Sequence, residues 1–174
     1  MAMARFRVAW AGFAVLAVLS LPVLASERTW VQAYTSISGD DLGTIVNWLQ
    51  WQGYITRYER FTDSTGDPAF RITTEDCKFT ILMYGRSYDS HGDAVYTSLQ
   101  TYAGFDLVST GLSCTTINRW NREYRQSRAY LDSEGDPFLE ADLSLRGGVA
   151  EDAIKMWLIL YLTSVETFIE YIEW

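Results

Sequence analysis

His91 is the only histidine in the 174 residues, and any Ser-His-Asp or Cys-His mechanism would have to run through it. It sits in Ser90-His91-Gly92-Asp93, a run of turn formers with no apolar neighbour to bury an imidazole, so it reads as a solvated turn residue. Glu140 and Asp142 lie two apart on a strand and could in principle work as acid and base. On a wet strand face the same spacing serves solubility. Trp120, Asn121, Arg125 and Arg128 could stack on and hydrogen-bond a polar ligand. The competing reading has Asn118 and Asn121 satisfying backbone groups while the arginines pair with Glu140 and Asp142. No nucleophile, base and orienting group stand together. The chain is therefore read as non-enzymatic, with no cofactor and no metal.

The compartment bears on the two cysteines. Arg5 and Arg7 precede an apolar stretch, Val8 to Leu21, and Val23-Leu24-Ala25 before Ser26 fits a small-residue cleavage site. This reads as a secretory signal peptide over residues 1–25, with an uncleaved anchor as the alternative. A periplasmic or secreted domain spanning 26–174 follows. Cys77 and Cys114, the only cysteines, then read first as a disulfide closing a loop of about 38 residues, which would contribute about 3.5 to 4 kcal/mol. Two free thiols are the alternative.

Charge excludes some partners. The chain carries −8, and without Arg5 and Arg7 it keeps 12 basic against 22 acidic side chains, near −10. An acidic surface offers neither phosphate counterion release nor attraction to anionic headgroups, which argues against nucleic acid and membrane-surface partners.

The elements that must position these residues are legible from local signals. Ser38 with Asp41 forms a capping pattern, and Leu42, Ile45, Val46 and Leu49 recur at helical spacing until Gly53. Strands are expected over Tyr54 to Thr62, Ala69 to Thr74, Lys78 to Tyr84 and Tyr96 to Phe105, with Gly85 to Asp93 as a polar loop. A second helix capped by Thr115 or Thr116 runs to about Tyr124. A hairpin then pairs Ser127–Asp132 with Pro137–Leu145. Putting Ala129 and Leu131 on its apolar side pairs them with Ala141 and Leu139 and sets Arg128 opposite Asp142. Its turn, Asp132-Ser-Glu-Gly-Asp-Pro, echoes Asp63-Ser-Thr-Gly-Asp-Pro, through duplication or through shared turn chemistry. A calcium loop is disfavoured, because the glycine and glutamate positions depart from the EF-hand pattern. After Gly147-Gly148 a third helix runs from about Ala150 to Glu173, with Ile154, Trp157, Leu158, Tyr161, Val165, Phe168, Ile169 and Ile172 as its stripe. Met156 to Leu162 is apolar all round, so its second face is either covered within the monomer or open to another chain. Length and acidic flanks exclude a membrane span.

Asn118, Trp120-Asn121-Arg122, Arg128 to Asp132, Gly135-Asp136-Pro137, Leu139-Glu140, Asp142 and Gly147-Gly148 together resemble the YbjN family of bacterial sensory-transduction regulators. The resemblance centres on Ile117 to Val149 and extends weakly to Leu99–Phe105 and the last helix. It implies an α+β domain with helices packed on an antiparallel sheet, similar in fold to type III secretion chaperones, and it carries no catalytic residues. This agrees with the helix, strands, helix, hairpin, helix order read above. The expected function is a protein-interaction, chaperone-like or regulatory module whose sheet or third helix holds a partner or a second copy, with Trp157, Leu158 and Tyr161 as contact candidates. The alternatives are a small-ligand or envelope-stress sensor using Trp120, Asn121, Arg125 and Arg128, and, least favoured, an enzyme.

Overall fold

The computed structural model describes residues 33–106 and 111–174. The expected signal segment and its cleavage site lie outside them. In chain order the elements are β1 (Ala33–Tyr34), β2 (Ile37–Ser38), α1 (Gly39–Trp51), β3 (Arg57–Thr62), β4 (Pro68–Thr73), β5 (Lys78–Tyr84), β6 (Ser87–Tyr88), β7 (Ala94–Tyr96), β8 (Ser98–Gly104), α2 (Cys114–Glu123), β9 (Arg128–Leu131), β10 (Pro137–Ser144), β11 (Val149–Ala150) and α3 (Glu151–Ile172). A six-stranded antiparallel sheet in the order β3-β4-β5-β8-β10-β9 dominates, beside a β2-β7-β6 sheet and a β1-β11 pair. The α+β class and the order of its main elements are those expected.

Alternation decides which face of the large sheet is dry. Phe70, Ile72, Phe79, Ile81, Met83, Leu99, Ala103, Ala129, Leu139 and Ala141 share one face and join a single core cluster with the buried residues of all three helices. The α1 start is the capping box read from sequence, with the Ser38 hydroxyl accepting from the Asp41 N–H at 3.1 Å and the Asp41 carboxylate from the Ser38 N–H. Gly53, at φ +81°, lies just past its C-cap. Tyr161 of α3 donates to the Leu139 carbonyl at 2.8 Å, and burial pushes its phenol pKa well up, so it stays a donor. Trp120 of α2 stacks on Tyr124 and meets Phe168 and Tyr171 edge-on, locking α2 to α3.

Three of the hairpin turns among the described residues share one design. Asp63, Asp89 and Asp132 each begin an Asp-Ser-x-Gly-Asp loop. In each, the first aspartate's carboxylate accepts from the backbone N–H two and four residues on, and its own N–H donates to the carbonyl of the last aspartate. Gly66, Gly92 and Gly135 take positive φ in the fourth position. The copy at Asp89 lies within the polar Gly85–Asp93 segment, and β6 and β7 on either side are too short to show alternation. The carboxylates at Asp63 and Asp132 each accept two backbone N–H groups, which accounts for the shape of the turn.

Four expectations are corrected. The β9–β10 register is two residues off the expected one: Ala129 faces Leu139, and Arg128 faces Glu140 instead of Asp142. The five-residue loop starts at Asp132, whose side chain fixes it, and parity alone could not set that phase. Cys77 and Cys114 are both free, the first buried beside the β4–β5 turn and the second exposed in the first turn of α2. The α2 cap is Ser113, which accepts from the Thr116 N–H at 3.1 Å, so Thr115 is inside the helix. Finally, the expected Tyr96–Phe105 strand divides at Thr97 into β7 and β8.

Candidate interaction surface

All three helices contribute to the core on one side of the large sheet, and the residues that point the other way are mostly exposed or half-buried. Only Ala69 and Thr80 are buried on that outer face. Across it runs a chain of side-chain hydrogen bonds. Tyr84 donates to Gln100 at 3.3 Å, Gln100 to Asp142 at 2.9 Å, and Arg128 to both Asp142 at 2.7 Å and Glu140 at 2.6 Å. The chain links β5, β8, β10 and β9. The bond to Glu140 is the main cause that raises the Arg128 pKa, and partial burial is the main cause for Tyr84 and Tyr130. Tyr102 stands in the same row as Glu140. Next to that row Tyr130 stacks on Phe138, whose ring lies over Gly104 so closely that a Cβ there would come within 2.7 Å of it.

Each residue singled out from sequence has a clear place. Trp120 is fully buried, so it cannot stack on a ligand, and its indole N–H finds no partner among the described residues. Asn121 donates to the Ala129 carbonyl at 2.9 Å and accepts from the Ala129 N–H at 2.7 Å. The Asp132–Asp136 bond sets the hydrogen-bonded pairs of this hairpin, so the Ala129 groups point away from β10, toward the free edge of the sheet. Asn121 thus satisfies backbone groups, as the competing sequence reading has it, and topology adds that they lie on the edge of the sheet, which it closes. Arg128 is ion-paired twice. A depression of about 540 Å³ does lie between the end of α2 and β9–β10, but of the expected ligand-binding set only Arg125 lines it without a hydrogen bond or ion pair among the described residues.

The third helix is more inward than expected. Leu158 and Tyr161 are core residues and are not available to a partner, and Trp157 is half-buried. What α3 shows outward is Met156, 53 % exposed, and Leu160, 36 %. His91 lies in its exposed turn, held by its N–H to Asp89. A cleft of about 670 Å³ between the start of α1 and the turns at Asp63 and Asp89 is lined by Asp40, Asp41, Asp89 and Asp93 with Arg60. Among the described residues no group of three or more His, Cys, Asp or Glu could hold a metal, and no helix is long and apolar enough to cross a membrane.

Among the described residues, helices on one face and a hydrogen-bonded, aromatic-bearing face that no helix covers define an α+β scaffold that presents its sheet. The chain belongs to the YbjN family: the family model described as "Putative bacterial sensory transduction regulator" matches residues 28–174. That description is of a regulator and not of an enzyme. No curated protein matches the chain.

Proposed function

We propose that this is a non-enzymatic regulatory module, exported from the cytoplasm, that works by holding a protein partner on the outer face of its large sheet. The observation that carries the reading is that bare face, where Tyr84, Tyr102, Tyr130 and Phe138 stand among Gln100, Arg128, Glu140 and Asp142. Exposed Tyr84 and Tyr130 and half-buried Tyr102 and Phe138, next to polar groups already fixed by one another, give contact area at low entropic cost, as interfaces require. The small outward strip of α3 offers less. Export rests on the basic, apolar and small-residue pattern of the N-terminus, and sequencing the N-terminus of protein recovered from the envelope should find Ser26 or a close neighbour first.

The interaction is tested with a photo-crosslinking amino acid placed singly at Tyr84, Tyr102 or Tyr130 in the native host, with Glu123 on α2 as a control. A discrete adduct from the sheet positions and none from Glu123 is the expected result. Equal adducts from all positions, or none from any, would overturn the reading.

A further inference from the structure

The two edges of the large sheet are finished differently. At β9 the outward N–H and C=O of Ala129 are taken by Asn121. At β3 the bond from Asp63 N–H to Asp67 C=O, 2.8 Å, fixes which pairs are hydrogen-bonded to β4. By alternation Tyr58, Arg60 and Thr62 then turn their N–H and C=O groups away from β4. No bond to these groups is found among the described residues.

This open edge borders a depression of about 340 Å³ lined by Arg57, Tyr58, Glu59, Arg71, Thr73 and Lys78. Three of its charged side chains are basic and one is acidic, in a chain that carries −8. Arg71 lies 4.9 Å over the Phe61 ring and 3.3 Å from the Glu59 carboxylate, so the single acid is already neutralised. Arg57 and Lys78 form no ion pair among the described residues, and the register sets both opposite Thr73 in one cross-strand row. The basic surplus is therefore local and unspent.

We propose that the β3 edge accepts an extended acidic segment of a partner protein, which joins the sheet as a further strand. Its backbone bonds to Tyr58, Arg60 and Thr62, and its outer-face carboxylates lie one strand spacing, about 4.8 Å, from the row that begins at Arg57. Arg71 and Lys78, farther in, add to the attracting field. A second copy is the competing occupant. Antiparallel pairing of β3 with itself sets like charges opposite when centred on Arg60 or Glu59, which is destabilising, but sets Arg57 opposite Glu59 when centred on Tyr58, so the peptide-free exchange measurement below decides between a copy and an acidic partner. The proposal rests on the interaction-module reading and names the edge and the charge of what is held.

The probe is a fluorescein-labelled peptide of about eight residues, long enough to span β3, with valine at alternate positions and, between them, glutamate near one end and serine elsewhere, so that glutamate can face Arg57 without facing Glu59. Fluorescence anisotropy should show it binding the full chain at low salt. Amide hydrogen exchange at Tyr58, Arg60 and Thr62 should slow by at least about tenfold when it binds, and Arg57→Glu with Lys78→Glu should weaken binding by about tenfold or more. Lysine in place of glutamate should abolish binding. No binding of the acidic peptide overturns the proposal. So does equal binding of its N-methylated form, which keeps the charge and loses the strand, and so does slow exchange at this edge in a peptide-free dimer. Adducts from Tyr84 or Tyr130 that survive the double charge reversal would end the edge proposal and leave the module intact. Absence of all adducts would end the module reading, while the peptide result still judged the edge.

Discussion

Asn121 imitates a neighbouring strand: its amide offers one donor and one acceptor at the spacing that Ala129 presents. Asn121→Leu removes both and leaves two edge groups with water or with another chain. A loss of about 1 to 3 kcal/mol is expected, read from the urea midpoint, together with stronger concentration-dependent association than the parent shows. Asn121→Asp keeps the acceptor alone and should fall between the two. Gly104 is needed for space, since the Phe138 ring occupies the volume a Cβ would fill. Gly104→Val should cost about 1 to 3 kcal/mol through displacement of the ring, and pairing it with Phe138→Ala should recover part of that loss in a double-mutant cycle. An additive cycle would show that the contact does not matter.

At the scale of elements, the turns carry a pH dependence. The Thr65 hydroxyl, and then the backbone N–H groups of Asp67, Thr65 and Gly66, hold the Asp63 carboxyl below its ordinary value. Backbone N–H groups of Asp93 and His91 do the same for Asp89. A lowered folded pKa means that this stability is fully present above the unfolded carboxylate value, near pH 4, and is lost as the pH falls through the lower folded value. The urea midpoint of the parent should therefore fall more steeply below about pH 4 than that of Asp63→Asn with Asp89→Asn, and parallel profiles would refute the linkage. The same turns show what sequence can and cannot reveal. The Ser38 cap, the Gly53 stop and β5, expected at its observed bounds, depend on signals within a few residues. The β9–β10 parity was legible for the same reason, whereas its phase depended on which aspartate accepts the loop N–H groups. Leu158 and Tyr161 lie on the apolar stripe read from sequence, but they face the core instead of a partner, because the part of the stripe that meets the sheet is buried. The edge-closing work of Asn121 and the separation of Cys77 from Cys114 belong to topology, which no local spacing encodes.

At the scale of the molecule, one sheet divides stability from presentation. Core-face side chains such as Ile81 and Leu139 are fully buried against the helices, whereas Tyr84 and Arg128 belong to a solvated network. Ile81→Ala should cost about 2 to 5 kcal/mol from lost burial and the cavity left behind. Arg128→Ala and Tyr84→Ala should each cost no more than about 1 kcal/mol, because exposed ion pairs and hydrogen bonds contribute little net stability. If the outer face holds the partner, the ranking reverses for crosslinking from Tyr102. The two outer-face variants should cut the adduct yield while the protein melts almost as before. Ile81→Ala, assayed well below its melting temperature, should leave the yield per folded molecule unchanged. Loss of yield only in proportion to loss of stability, across all three variants, would mean that the bare face is simply a solvated surface and that partner recognition lies elsewhere on the fold.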